Sequence, residues 1–234
     1  MTIQQSPQRL LDTGAAVGPQ VYRLVRERII RGDLEPGTRI SESEIAGGYD
    51  VSRQPVREAF IKLAEEGLLE IRPQRGTFVR KIAIPSVMDA RFVREAIEAD
   101  IVRLLAQLAV PGLEEELRGL LAAQARAAAA GEWLRFVELD ERFHRVLASG
   151  AGKTYAWNVV ESVKAQMDRV RHLSAQRFPM DKLIEQHTAI VDGIAGHNPV
   201  AAERAMRAHL REILNDLPAI AGSRPEFFED ADQT

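Results

Sequence analysis

Apolar positions near the start of the chain repeat with the period of a helix. Val21, Leu24, Val25 and Ile29 recur at helical spacing, and the pattern stops at Gly32. The polar, small-residue-rich segment before them has no such period. The sequence therefore predicts a flexible arm over residues 1–18 and then a first helix.

Two further helices are indicated by their start signals. Ser41-Glu42-Ser43-Glu44 is a capping-box pattern, in which serine and glutamate satisfy each other's terminal N–H groups. It opens a short helix that is expected to end at Gly47-Gly48. Ser52 is placed to cap a third helix over 53–66, with Pro55 tolerated in the first turn.

A hairpin and a long helical region follow. Two runs of β-branched or large apolar residues, 68–71 and 77–82, flank the turn Arg72-Pro73-Gln74-Arg75-Gly76, which predicts a β-hairpin. From Pro85 onward the spacing is helical almost throughout. The predicted helices span 86–108, 112–130, 132–149, 153–176, 180–196 and 198–218. The predicted fold class is mainly α, with three helices plus a hairpin wing followed by an all-α bundle.

Charge is distributed unevenly between the two predicted domains. These domains span 19–82 and 86–221, and 222–234 is predicted to be an acidic, flexible tail. From Pro19 to Lys81 there are 12 Lys and Arg against 10 Asp and Glu, whereas the remainder has 19 against 24. The net charge of −3 therefore conceals a mildly basic first domain beside an acidic second one.

Several protein classes are excluded or disfavoured by composition. Cysteine is absent, which excludes disulfides, thiolate metal sites and cysteine nucleophiles. The N-terminus lacks the apolar core of a signal peptide, and no stretch approaches the roughly 18 apolar residues of a membrane helix. We expect a soluble, cytoplasmic protein with no membrane partner.

The three helices and the hairpin match the winged helix-turn-helix, which places its recognition helix in the major groove of DNA. Arginine can donate a bidentate pair to guanine, and glutamine can pair with adenine. In the wing, Gly76 permits close backbone approach, and Arg75 is long enough to reach a phosphate or the minor groove. The candidate DNA-binding residues are Arg53, Gln54, Arg57, Arg75, Gly76 and Thr77. The alternative is that the arginines are solvated residues of a helical face.

Four runs, in this order, resemble the GntR family of bacterial regulators. They are Gly32-Asp33-Leu34-Glu35-Pro36-Gly37, Ser52-Arg53-Gln54-Pro55-Val56-Arg57-Glu58-Ala59, Glu66-Gly67-Leu68 and Arg75-Gly76-Thr77-Phe78-Val79. The resemblance implies that Arg53, Gln54 and Arg57 touch base edges or phosphates and that Gly76 lies at the wing tip. Ser43 departs from the pattern, because some members have a DNA-contacting arginine there.

A second set of polar residues has the character of metal ligands. Asp140 and His144 share one helical face at i, i+4, while His187 and His209 lie on two later helices. Three imidazoles and one carboxylate suit zinc, nickel or manganese, and open coordination positions would accept an acidic effector. Alternatively, each histidine is an ordinary core or surface residue.

The second domain resembles the helical effector domain called FCD. The matching patterns are Asp140-x-x-Phe143-His144, Glu185-x-His187-x-x-Ile190 and Ala205-x-x-x-His209-Leu210. The resemblance implies a divalent metal at these positions beneath a small organic acid. It also implies that Arg94 faces the effector, although Arg94 can equally bond to Glu98 at i+4. Arg171 is a second candidate, and helical periodicity does not decide whether it or Arg169 faces inward. His172 and His197 fall outside the pattern.

Three functions follow as hypotheses. The first is a homodimeric DNA-binding regulator that responds to a small organic acid. The second is a helical metal-dependent hydrolase with Asp140 or Glu141 as its base, which leaves the N-terminal third unexplained. The third is a DNA-binding protein whose bundle only dimerises, without metal or effector.

Overall fold

The chain divides into two compact units. The computed structural model describes residues 11–12, 14–173 and 180–229. One unit spans Ile84–Ser223, and the other contains the described residues before Ile84 together with those from Arg224 onward. Predictions for residues 1–10, 13, 174–176 and 230–234 lie outside the described residues.

The N-terminal unit has the predicted winged fold. Its helices are α1 (Val17–Arg31), α2 (Glu42–Tyr49) and α3 (Arg53–Glu65). Its strands are β1 (Arg39–Ile40), β2 (Leu69–Arg72) and β3 (Gly76–Val79). The strands pair antiparallel in the order β1-β3-β2. The apolar faces of α1 and α3 supply the core, so the opposite face of α3 remains exposed to solvent.

Local signals in this unit were only partly correct. Ser41 caps α2 as predicted, because its Oγ accepts the Glu44 N–H at 3.1 Å. However, α2 continues through Gly47-Gly48, since burial of its apolar residues outweighs the cost of about 1 kcal/mol that glycine imposes inside a helix. The Ser52 side chain makes no capping hydrogen bond. The two-residue strand β1 is too short to produce a pattern in the sequence.

The described part of the predicted N-terminal arm is attached to α1. Gln20 is buried, and its Nε2 donates to the carbonyl oxygens of Asp12 at 2.9 Å and Ala15 at 3.1 Å. The Asp12 N–H donates to Gln20 Oε1 at 2.8 Å. The prediction of a flexible arm is therefore wrong for these residues, because one buried amide satisfies the backbone groups beside it.

The predicted flexible tail is also wrong for residues 224–229. A short 3₁₀ helix, Pro225–Phe227, precedes a parallel bridge between Ile82 and Phe228. The Ile82 N–H donates to Phe227 O at 2.9 Å, and the Glu229 N–H donates to Ile82 O at 3.0 Å. Phe227 and Phe228 are buried in the N-terminal unit. Burial of two adjacent aromatic rings offsets the entropy lost when an acidic terminus becomes ordered.

The second unit is an all-α bundle, as predicted. Its helices are α4 (Ile84–Leu105), α5 (Leu113–Ala129), α6 (Trp133–Gly150), α7 (Thr154–Val163), α8 (Ala165–Leu173), α9 (Met180–Ala195), α10 (Pro199–Arg211) and α11 (Ile213–Ser223). No described helix has the length and apolar character needed to cross a bilayer.

Two predicted helices are each divided into two. The helix predicted over 153–176 is interrupted at Lys164, and the one predicted over 198–218 is interrupted at Glu212. At Glu212 the backbone bonds change to i→i−3, from Glu212 N to His209 O and from Asn215 N to Glu212 O. Such tighter turns preserve the apolar period, so the sequence pattern did not reveal the division.

A close helix contact positions two of the candidate ligands. A Cβ on Gly193 in α9 would lie only 2.7 Å from the backbone nitrogen of Ala202 in α10, so glycine is required for this approach. His187 precedes this contact in α9, and His209 follows it in α10 at nearly equal sequence distance. The close approach of the two helices therefore brings the two imidazoles to the same level of the bundle.

We expect Phe228→Ala to loosen the attachment of the C-terminal segment to the N-terminal unit. Loss of a buried aromatic ring typically costs about 3–5 kcal/mol. Hydrogen exchange should therefore become faster at the amides of Ile82 and Glu229. Phe92→Ala is the matched control, because Phe92 is 66% exposed on α4. Unchanged exchange at Ile82 in Phe228→Ala would contradict the assigned contact.

Candidate DNA interface and metal centre

The predicted recognition residues lie on the exposed face of α3. Arg53, Gln54 and Arg57 occupy its first two turns and are exposed, whereas Val56 and Phe60 face the core. Burial of the apolar positions thus orients the three polar side chains toward solvent. This arrangement leaves their donors free of core packing and suited to contact with a duplex.

Glu42, at the start of α2, holds both arginines of α3. Its Oε2 accepts from Arg53 Nη2 at 2.9 Å, and its Oε1 accepts from Arg57 Nε at 3.0 Å. The hydrogen bond from Arg57, reinforced by Arg53, lowers the pKa of Glu42 from its ordinary value. Glu42 therefore remains charged at neutral pH and keeps the two guanidinium groups beside each other. In the sequence, Glu42 stood out only as part of a capping box.

The predicted wing residues lie where the hairpin turn meets β3, since Arg75 is the last residue of the turn and Gly76 and Thr77 begin the strand. Gly76 has φ +109°, and Arg75 and Thr77 are adjacent to it. Arg72 pairs with Glu70 at 2.8 Å and its guanidinium lies 4.7 Å from the centre of the Phe78 ring. The turn therefore has the wing geometry that the sequence predicted.

The four candidate metal ligands meet inside the bundle. Asp140 and His144 from α6, His187 from α9 and His209 from α10 are buried, and one ligand atom from each lies within 4.8 Å of all the others. His209 Nε2 is 3.2 Å from His144 Nε2 and 3.3 Å from His187 Nε2. Asp140 Oδ1 is 3.3 Å from His187 Nε2. The predicted cluster is therefore present in the structure.

A side-chain oxygen lies beside the outer nitrogen of each histidine. Glu98 Oε2 lies 2.5 Å from Nδ1 of His144. Gln124 Oε1 lies 3.0 Å from Nδ1 of His187, and Gln186 Oε1 lies 3.0 Å from Nδ1 of His209. For His187 and His209, the amide oxygen there favours the proton on Nδ1 and leaves the Nε2 lone pair free. The Nε2 atoms of all three histidines lie close together, since His209 Nε2 is near those of both His144 and His187.

The protonation states favour a bound cation. Burial, together with the neighbouring histidines, lowers the pKa of His209 well below its ordinary value. Burial likewise lowers the pKa of His187 to about 3, despite the opposing effect of Asp140. Burial raises the pKa of Asp140, but Arg171 and the three histidines outweigh this effect, so the pKa is lowered. At neutral pH the cluster therefore offers neutral imidazoles at His187 and His209 and a carboxylate.

Asp140 Oδ1 gives an independent indication of a missing partner. This atom is buried and accepts no hydrogen bond from the described residues. Its neighbour, His187 Nε2, presents a lone pair rather than a proton, so the two atoms repel each other unless a cation lies between them. Three imidazole nitrogens and one carboxylate oxygen fit a divalent transition metal.

The two candidate effector residues flank the cluster. Arg94 is buried on α4, and its Nε donates to Glu98 Oε1 at 2.6 Å. Arg171 on α8 donates from Nη1 to Asp140 Oδ2 at 2.8 Å. Arg94 therefore makes the i+4 bond to Glu98 that the sequence left open, and Glu98 connects it to His144. Effector binding by the two arginines stays a prediction.

No pattern in the sequence indicated Gln124 and Gln186 as outer acceptors. They contact histidines 63 and 23 residues away in the chain, and no local pattern connects them. Glu98 was noticed only as a partner of Arg94. His197 lies outside the cluster, where its Nδ1 is 3.2 Å from the carbonyl oxygen of Ala106.

Comparisons with known proteins agree with the two units. Residues 18–79 match the family of bacterial regulatory proteins, gntR family, and residues 89–212 match the FCD domain. The HTH-type transcriptional repressor RspR of Escherichia coli is 39% identical over 92% of this chain and 94% of its own length. A probable D-xylose utilization operon transcriptional repressor of Paenarthrobacter nicotinovorans is 33% identical over 90% and 92%.

Solved structures also share the fold. A regulator titled GntR from Rhodococcus superposes with a TM-score of 0.72 at 27% identity, covering 88% of this chain and 98% of that one. Escherichia coli McbR/YncC, at 17% identity and a TM-score of 0.76, supports the fold alone and covers the same shares. Fold and site thus define a DNA-binding transcription regulator rather than an enzyme. The chain belongs to the GntR family and carries an FCD domain.

We expect Arg94→Leu to destabilise the bundle strongly. It would leave Glu98 buried without its cation, and a buried pair that loses one partner typically costs about 3–5 kcal/mol. Urea unfolding in the presence of a chelator can be followed through Trp133 and Trp157, which both lie in the bundle. Arg103→Leu is the matched control, since Arg103 pairs with Asp100 on the exposed side of α4 and should cost less than about 1 kcal/mol. Equally small losses of unfolding free energy in Arg94→Leu and Arg103→Leu would contradict this account.

Proposed function

We propose that the chain is a homodimeric, cytoplasmic repressor whose affinity for its operator depends on a small organic acid bound at a metal centre in the FCD domain. The proximity of three imidazole nitrogens and Asp140 Oδ1 in one buried cluster supports the sensor half of this proposal. The GntR family supplies the regulatory half. Repression is inferred from the names of two relatives, which describe repressors.

On the DNA side, α3 would enter the major groove with Arg53, Gln54 and Arg57 directed at the bases. Each arginine can donate a bidentate pair to guanine, and Gln54 can pair with adenine. Glu42 would restrict the two guanidinium groups to a narrow set of orientations, which favours base pairing over loose phosphate attraction. Arg75, Gly76 and Thr77 would contact the adjacent backbone. A dimer would place two such heads on two half-sites.

On the sensor side, Asp140, His144, His187 and His209 would hold a divalent ion such as zinc, nickel or manganese. When bound, the ion supplies a Lewis-acidic anchor for a carboxylate. Glu98, Gln124 and Gln186 orient the imidazoles, and Arg171 orients the Asp140 carboxylate.

Arg94 and Arg171 would attract the acid to the anchor. The carboxylate of the effector would compete with Glu98 for Arg94 and with Asp140 for Arg171, because both arginines already bond to those carboxylates. Exchange of these partners alters contacts of α4, α6 and α8 at once. An effector can shift DNA affinity only if these rearranged contacts differ between the DNA-bound and free conformations.

We expect untagged protein to contain about one divalent ion per chain, with His144→Ala/His187→Ala losing it. Elemental analysis gives the stoichiometry. Gln124→Ala should keep the ligands but weaken metal affinity about 10–100-fold, because His187 loses its outer partner. His197→Ala controls for loss of a histidine outside the cluster. Absence of metal from the wild-type protein after incubation with zinc, nickel and manganese would favour a bundle that only dimerises.

We expect small organic acids to raise the melting temperature of the metal-loaded protein only. A ligand that binds the native state alone stabilises it by mass action, by about 2.7 kcal/mol at 100 times its dissociation constant. A thermal-shift screen with and without chelator identifies such acids, and those that bind should change operator affinity in a fluorescence anisotropy titration. Stabilisation that persists after chelation would contradict the metal-anchored model.

We expect Arg53→Ala to weaken binding to the operator by about 1–3 kcal/mol and to relax its specificity at one base pair. Fragments upstream of the protein's own gene and of neighbouring genes provide candidate operators for the anisotropy titration. Lys62→Ala is the control, because Lys62 is exposed in the last turn of α3. A failure of wild-type protein to prefer any such fragment over unrelated DNA would count against the regulatory function.

A further inference from the structure

Arg39 lies against the wing tip. It belongs to β1, where it is the Cα partner of Phe78 in β3, and the next residue, Ile40, is buried. A Cβ on Gly76 would fall 2.7 Å from Arg39 Nε and 3.3 Å from Arg39 Nη2. The guanidinium therefore occupies the space that a side chain at position 76 would fill. Glycine is favoured at this position by its positive φ, and the absence of a side chain there leaves room for the guanidinium of Arg39.

The charges of this unit differ in how they are paired. Arg53 and Arg57 share Glu42, and Arg72 pairs with Glu70. Within the part of the chain that the structure describes, Arg39 and Arg75 have no carboxylate partner, and both are exposed. The wing thus carries two cations beside Gly76 that have no carboxylate partner, whereas Arg53 and Arg57 of the recognition helix share one carboxylate, that of Glu42.

An exposed, uncompensated arginine beside a protruding turn is suited to a phosphate ligand. Its planar guanidinium can donate two parallel hydrogen bonds to phosphate oxygens. The strand pairing of β1 with β3 fixes the backbone of Arg39, and the contact with Gly76 limits where its side chain can lie. The Arg39 side chain therefore loses less conformational entropy on binding than a long side chain that extends freely into solvent.

We propose that Arg39 binds a DNA backbone phosphate beside the wing, as a sequence-independent contact additional to those of Arg53, Gln54 and Arg57. The proposal rests on operator binding by the winged unit. In this proposal, arginines that pair with a carboxylate and arginines that do not have different roles. The Glu42-bound arginines of α3 discriminate between sequences, and the uncompensated arginines of the wing supply salt-dependent affinity for any duplex.

The test is a salt titration of the full chain on its operator and on unrelated duplex DNA. Arg39→Ala should reduce the slope of log affinity against log salt by about 0.9 for each half-site bound. Between about 50 and 200 mM salt, the ratio of wild-type affinity to Arg39→Ala affinity should therefore fall about 3.5-fold per half-site. The loss should be the same on both DNAs. Arg39→Lys, which keeps the charge, should restore most of the slope.

Arg23→Ala is the matched control for long-range charge. Arg23 is exposed on α1 and likewise forms no ion pair within the described residues, so its removal changes the net charge equally. The proposal is overturned if Arg39→Ala leaves the slope unchanged, if Arg23→Ala lowers it as much, or if the loss occurs on the operator alone. Arg53→Ala tests the assumption that the winged unit binds the operator. If neither Arg53→Ala nor Arg39→Ala changes operator affinity, the proposed DNA interface itself is contradicted.

Discussion

The structure of the FCD domain depends on satisfying a group of polar atoms that are buried in an apolar bundle. An isolated carboxylate or imidazole there costs several kcal/mol unless it is paired. Glu98 from α4, Gln124 from α5 and Gln186 from α9 serve as partners for the three histidines, and Arg171 from α8 serves Asp140. With the ligands on α6, α9 and α10, the cluster links six helices. A ligand that alters it therefore acts on most of the bundle through direct contacts.

The charges on the DNA-binding unit have a different requirement to meet. Its surface must attract a polyanion without holding every sequence equally tightly. Glu42 offsets part of the charge of Arg53 and Arg57 and, in the proposed interface, would order the donors that distinguish bases. The two units are joined by the chain at Ala83 and again at Ser223, since residues 224–229 return to the N-terminal unit. Both ends of the FCD domain are thus continuous along the chain with the DNA-binding unit.

Much of this architecture could be predicted from sequence because it arises within single elements. Helical periodicity places Asp140 and His144 on one face, and the Ser41 capping box marks the start of α2. Predictions failed where packing outweighs local preference. Gly47-Gly48 do not end α2, and the changes at Lys164 and Glu212 leave the apolar period intact. Residues 224–229 pack on the N-terminal unit because Phe227 and Phe228 are buried there and Phe228 forms a β-bridge with Ile82.

The four candidate ligands, the candidate recognition helix and the wing were therefore accessible from residue type and spacing, supported by resemblance to a family. Only the tertiary structure revealed that Gln124 and Gln186 direct the imidazoles inward and that Glu42 pairs the arginines of α3. The contact of Arg39 with Gly76 was likewise invisible in the sequence. The physical reason is that spacing defines faces within one element, whereas partners on different elements are selected by packing, which a single sequence does not encode in any local pattern.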